Sequence, residues 1–189
     1  FVLISRVLGY VRDFFMAIYL GSGPLADAFF VAFRIPNTFR RLFSEGTFNA
    51  AFVPSYSSEL AKSKNKANKF ANTVFNLLLF GLLLTTILIE IFMPSFIKLI
   101  APGFINDLEQ TQLAINLTRL TFPFLLFISL ASFLSAILNS HNKFAAAAAA
   151  PIILNILLIL CLILANYFEG NLVYYLSYTV SVAGLIQFV

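Results

Sequence analysis

The sequence predicts an all-α protein, a polytopic transmembrane helical bundle of about six spanning helices. Three observations carry that prediction. Of 189 residues, 60% are hydrophobic and 11% charged, and the mean hydropathy is +0.92, whereas soluble domains carry roughly 25% charged residues. Apolar stretches recur at the ~20 residues that cross ~30 Å of hydrocarbon as a helix. Their length decides for helix over strand despite the many Phe, Val and Ile residues, because a lipid-exposed backbone must satisfy its own hydrogen bonds.

The first stretch runs from Phe1 to about Leu20 and holds Ser5, Arg6, Arg12 and Asp13. Gly21-Ser22-Gly23-Pro24 is a turn signal that ends it. The second runs from about Leu25 to Tyr56, with a kink or break expected at Pro36, which lacks the N–H for one helical bond. The polar segment Ser57 to Lys69 reads as a connecting loop or a helix extending into water. The third stretch covers about Val74 to Ile97, and Ala101-Pro102-Gly103 breaks the chain after it. The fourth covers about Leu113 to Leu138 with Pro123 near its start, and Asn139 to Lys143 is the next loop. The fifth, about Phe144 to Tyr167, opens on six alanines suited to close helix packing. After the turn at Glu169-Gly170-Asn171, the sixth begins at Leu172 and is still running at Val189. The chain starts at Phe1 rather than Met and ends in an apolar run. It is therefore expected to be one transmembrane bundle over 1–189, truncated at both ends, with no cleavable signal peptide.

The connections alternate sides. Lys62, Lys64, Lys66, Lys69 and Lys143 fall on one side and Lys98 alone on the other. The excess of lysine places the first side in the cytoplasm.

Lysines sit in or beside connections, whereas Arg6, Arg12, Arg34, Arg40, Arg41 and Arg119 sit within the spans or their margins. A charge at the bilayer centre costs about 2.5–3.5 kcal/mol on insertion scales. The arginines must therefore face the bundle interior, a water-filled cavity or an interface. At about 100° per residue, Asp27, Arg34, Arg41 and Glu45 share one stripe. They read as cavity-lining charge that pairs in part within itself. Arg6 and Asp13 share a second stripe, with Arg12 off it. The first two spans carry five arginines against the carboxylates Asp13, Asp27 and Glu45. An excess of guanidinium wants an anion, and the planar fork of arginine suits phosphate. Arg6, Arg12, Arg34, Arg40 and Arg41 are all candidates to meet that anion, with Asp27, Arg34, Arg41 and Glu45 also placed to hold one another.

Other polar residues have plainer readings. Glu90 and Arg119 are expected as interfacial or paired charges, Asn72, Asn76 and Asn155 as interhelical hydrogen-bonding groups, and His141 as a solvated loop residue. Tyr167, Tyr174 and Tyr175 suit the membrane interface. One cysteine, Cys161, and one histidine leave no disulfide framework or metal-ligand spacing. No catalytic set or Gly-rich phosphate loop is visible. The expectation is therefore no enzyme activity, no cofactor, no bound metal and no nucleic-acid partner.

The motifs Ser5-Arg6-Val7-Leu8-Gly9-Tyr10-Val11-Arg12-Asp13, Asp27 to Asn37, Arg40 to Gly46, Ala51-Phe52-Val53-Pro54, Ala101-Pro102-Gly103-Phe104 and Thr121 to Asn139 occur in that order. Together they resemble the MurJ (MviN) family, the lipid II flippases of the MOP exporter superfamily, and the match covers essentially the whole chain. The resemblance implies the first half of a transporter of roughly fourteen helices, multi-pass in the bacterial cytoplasmic membrane. Such a protein would move a polyprenyl-diphosphate-linked peptidoglycan precursor by alternating access, and so serve cell-wall biogenesis and cell shape. The family's cavity arginines fall on Arg6, Arg12 and Arg40, its acidic positions on Asp27 and Glu45, and its second adjacent arginine on Arg41. The resemblance thus implies Arg6, Arg12, Arg40 and Arg41 as the cargo-binding residues and Asp27, Arg34 and Glu45 as structural charges of the cavity. Arg34 departs in type from relatives that carry lysine there. The implied partners are lipid II, the phospholipid membrane and the C-terminal half of the same chain. The energy source is expected to be membrane potential or a cation gradient.

Three alternatives stand beside this reading, the first two from the same superfamily that the motifs resemble. A flippase for another polyprenyl-diphosphate oligosaccharide shares the same chemistry. A MATE-like multidrug exporter predicts a cavity of net acidic charge. A non-transporting scaffold predicts charges that pair internally or with a partner helix.

Overall fold

Helix α1 (Val2–Leu20) leads through a glycine turn into α2 (Pro24–Glu45), followed by α3 (Thr47–Lys62), α4 (Lys64–Ile91) and the short α5 (Met93–Ile100). A 3-10 turn at Pro102–Phe104 precedes α6 (Leu108–Thr121) and α7 (Pro123–Ser140). Then come α8 (Ala145–Ile163), a 3-10 turn at Leu164–Tyr167 and α9 (Leu172–Phe188). This computed structural model describes residues 2–45, 47–143, 145–167 and 170–189, without the side chains of 2, 39–49, 145–148 and 166. No strand occurs among the described residues. The chain is an all-α transmembrane bundle, and α1, α2–α3, α4–α5, α6–α7, α8 and α9 follow the six expected stretches.

Each boundary has a local cause. Gly21 at φ 63° takes the left-handed conformation that ends α1 at least cost. Ser63 caps α4 by accepting from the Asn65 N–H, so the polar segment 57–69 is helical on both sides of one break. Asp107 caps α6 by accepting from the Gln110 N–H at 3.0 Å, and Asn171 caps α9 by accepting from the Val173 N–H at 3.2 Å. Pro94 and Pro123 open α5 and α7 at N-terminal positions, where a missing N–H costs nothing.

Pro36 does not break its helix: α2 continues through it to Glu45. Its missing N–H leaves the Ala32 carbonyl, four residues earlier, without its helical donor. The Thr121 hydroxyl of α6 donates to that carbonyl at 2.9 Å in a buried contact. The described part of the second stretch is thus helical on both sides of residue 46, which lies outside the described residues. A similar service occurs ahead of Pro123, where the Ser181 hydroxyl of α9 donates to the Leu120 carbonyl in the last turn of α6.

Among the described residues, Lys64–Ile91 and the continuous segment Leu108–Ser140 are long and apolar enough to cross a membrane alone. The helices α1 and α2 carry charge within their length, and the described apolar parts of α8 and α9 are shorter, at Ala149–Ile163 and Leu172–Phe188. A large core draws on α1, α2 and α5 to α9, with Phe29, Phe122, Phe124, Leu158, Leu162 and Leu176 fully buried. A smaller core joins α3, α4 and α7 through Phe52, Tyr56, Ala67, Ala71, Phe133 and Ala136. Gly184 brings α9 against α7: a Cβ there would lie 2.8 Å from the Phe124 ring and 3.3 Å from Phe124 Cα. Helix α4 is otherwise bare. It exposes Leu77, Phe80, Leu83, Leu84, Ile87 and Leu88, as a lipid-facing helix does.

Candidate functional site

On α2 the buried face is Ala28, Phe29, Ala32, Phe33, Ile35 and Pro36, and the opposite face exposes Asp27, Phe30, Arg34 and Thr38. A bare face bearing an aspartate and an arginine cannot rest in hydrocarbon the way the apolar face of α4 does. It belongs to an aqueous cavity or a protein interface. On α1 the exposed surface divides in two. Leu3, Val7, Phe14 and Ile18 form an apolar strip, and Arg6 and Asp13 form a polar one beside it.

Arg12 turns away from both strips towards α8. Its Nη1 donates to Asn155 Oδ1 at 2.8 Å. Its Nε and Nη2 both donate to Asp13 Oδ1, at 3.0 and 2.7 Å. The Phe33 ring of α2 lies 5.6 Å from the guanidinium carbon, within cation–π range. The side chain of Arg12 is 17% exposed and that of Asp13 65%. Residues from α1, α2 and α8 thus converge on one cation. Three of its five N–H groups are engaged by these bonds, and the other two have no partner among the described residues. The Asp13 carboxylate, largely in solvent, gains little from this exposed pairing and is readily exchanged for another anion.

The remaining candidates fall differently. Arg6 is exposed and has no ion pair among the described residues. Asp27 lies in the first turn of α2, where the helix dipole favours a carboxylate. Arg34 is exposed on the same face, and no ion pair joins the two among the described residues. Arg40, Arg41 and Glu45 belong to α2, but their side chains lie outside the described residues. The Arg6–Asp13 stripe does not become a pair: Asp13 takes its sequence neighbour Arg12 instead. Asn155 was legible as a hydrogen-bonding residue but not as the partner of Arg12, because positions 143 residues apart leave no local pattern.

Away from this centre, Arg119 Nε lies 3.9 Å from Glu90 Oε2, so the two expected interfacial charges face each other. His141 is exposed but not free, since its Nε2 lies 3.2 Å from the Tyr56 hydroxyl.

Fold and site together define a polytopic helical membrane protein with one cationic group, Arg12, drawn in between α1, α2 and α8. A family model described as "Lipid II flippase MurJ" matches residues 16–189. The chain belongs to the MurJ family. It is 46% identical over 188 residues to a "Probable lipid II flippase MurJ" of Rhizobium tropici, covering 97% of this chain and 35% of that protein. It is 35% identical over 189 residues to the "Lipid II flippase MurJ" of Burkholderia cenocepacia, covering 100% of this chain and 37% of that protein. A solved structure titled "Lipid II flippase MurJ, inward closed conformation" superposes with a TM-score of 0.84 at 32% identity, over 98% of this chain and 39% of that one. The chain thus spans about a third of the length of the curated relatives it matches. Family membership does not favour the multidrug-exporter or other-oligosaccharide readings.

Proposed function

We propose that the chain is the N-terminal part of a lipid II flippase of the bacterial cytoplasmic membrane, working with the C-terminal half of the same protein. The observation that carries this reading is the guanidinium of Arg12, held between α1, α2 and α8 with two N–H donors uncommitted among the described residues. An arginine with a free pair of donors, drawn out of bulk water, is a receptor for a phosphate oxygen. In this reading Arg12 binds the diphosphate by displacing the exposed Asp13 carboxylate. Arg6, on the polar strip of α1, and Arg40 and Arg41, further along α2, add cationic charge along the path. Asp27, Arg34 and Glu45 keep the cavity wall of α2 hydrated. The polyprenyl tail stays in lipid while the two halves of the transporter rock about the cavity and release the headgroup outside.

Complementation of a strain depleted of its flippase tests the reading, using the complete gene. Arg6→Ala, Arg12→Ala and Arg40→Ala are each expected to abolish precursor export while the protein still accumulates in the membrane. Normal export in all three single variants sinks it.

A further inference from the structure

We infer that Asn155, on α8, is a positioning residue for the cargo site: it fixes the guanidinium of Arg12 in the orientation that receives a phosphate. The inference rests on the flippase reading above and deepens it. Asn155 is 5% exposed, in the middle of α8. Its amide is used at both ends. Oδ1 accepts from Arg12 Nη1 at 2.8 Å, and Nδ2 donates to the Ser5 carbonyl at 3.1 Å. The second bond reaches the backbone of the helix that carries Arg12, so the amide plane is anchored to α1 independently of the side chain it holds. A hydroxyl is too short to span both partners, and an apolar side chain makes neither bond. Gly9 of α1 lies between Ser5 and Arg12 and faces this amide: a Cβ there would be 3.7 Å from Asn155 Nδ2. The contact between α1 and α8 is therefore built around the amide.

Two features separate a positioning role from plain helix packing. Asn155 is neutral, so it holds Arg12 without cancelling its charge, unlike Asp13 on the other side. It is also buried, so an incoming anion can exchange with Asp13 while Asn155 keeps the guanidinium in place. A long arginine side chain loses rotamer freedom on binding, and a fixed acceptor removes that cost before the ligand arrives.

The test is a double-mutant cycle in the purified full-length protein, titrated with lipid II and with thermal unfolding recorded for every variant. Arg12→Ala is expected to weaken binding strongly. Asn155→Leu is expected to weaken it about tenfold, the scale of one hydrogen bond to a charged group. Adding Asn155→Leu to Arg12→Ala is expected to cost nothing further. Asn155→Ser, a smaller change that keeps a polar group, is expected to show the same dependence on Arg12. Additive losses mean that Asn155 acts through packing alone, and they overturn the inference. Wild-type binding by both Asn155 variants also overturns it, as does failure of both to accumulate folded. Wild-type binding by Arg12→Ala brings down the flippase reading of Arg12 itself, an outcome distinct from the others.

Discussion

Thr121 donates its hydroxyl to the Ala32 carbonyl at 2.9 Å, the same carbonyl that Pro36 cannot serve. The proline thus sits inside α2 without leaving a bare acceptor in the core. The same hydroxyl oxygen lies 3.2 Å from the Thr118 carbonyl of its own helix. Thr121→Val keeps the shape and removes the donor, leaving a buried carbonyl unsatisfied. The expected loss is about 1–3 kcal/mol of stability, read as a lower midpoint of thermal unfolding in the full-length protein. Pro36→Ala restores a backbone N–H and is expected to recover much of that loss in the Thr121→Val background. Additivity of the two changes argues against the relationship.

Gly184 has a packing role that needs no unusual backbone. A methyl there meets Phe124, which is fully buried and has nowhere to move. Gly184→Ala is expected to cost about 1–3 kcal/mol by overpacking between α7 and α9, and Gly184→Val more. A thermal midpoint unchanged by either substitution counts against that tight approach.

Tyr56 separates hydrogen bonding from packing. Its ring is buried and stacks on Phe52 with centroids 5.5 Å apart, while its hydroxyl lies 3.2 Å from His141 Nε2. Tyr56→Phe is expected to cost only about 0.5–1.5 kcal/mol. Tyr56→Ala is expected to cost about 3–5 kcal/mol, the range for emptying a buried aromatic site. Equal losses from the two changes mean the hydroxyl contact dominates.

Topology is testable by chemical labelling. In a background with Cys161 replaced by serine, a cysteine in place of Lys66 is expected to react with an impermeant maleimide only after the cytoplasmic side is opened. A cysteine in place of Lys98 is expected to react in intact cells. Both side chains are exposed, so accessibility reports sidedness rather than burial. The reverse pattern inverts the bundle.

The helical order was readable because apolar runs of spanning length admit little else in a membrane. Exceptions arose where a distant side chain intervened. Pro36 reads locally as a kink or break; no break occurs there, and the Thr121 hydroxyl from α6 makes the continuous helix tolerable. The segment 57–69 reads equally as loop or helix, and the Ser63 cap settles it. The site was legible in residue type but not in partnership. Heptad spacing suggests that Asp27 meets Arg34. Side chains seven residues apart stand about two turns, or ~10 Å, from each other along the axis, and that pair does not form among the described residues. On α1, Asp13 reaches its immediate neighbour Arg12, which finds its second partner on α8.

The bareness of α4 has a consequence for every stability measurement. Its buried residues are Ala67 and Ala71 near one end and Leu82 further along. The first two are seated in the small core, and beyond the far end Met93 and Ile97 of α5 are seated in the large one. Between these moorings Val74, Phe75 and Leu78 lean on the small core, while the outer face, from Leu77 to Ile91, meets its surroundings and not its neighbours. The solvent that stabilises it is the acyl chains themselves. Changing detergent chain length or bilayer thickness should therefore act first on α4 and the small core, leaving Phe124, Leu158 and Leu176 sheltered by protein on all sides. A midpoint measured in one amphiphile belongs to that pairing of protein and solvent, and variants are comparable only within it.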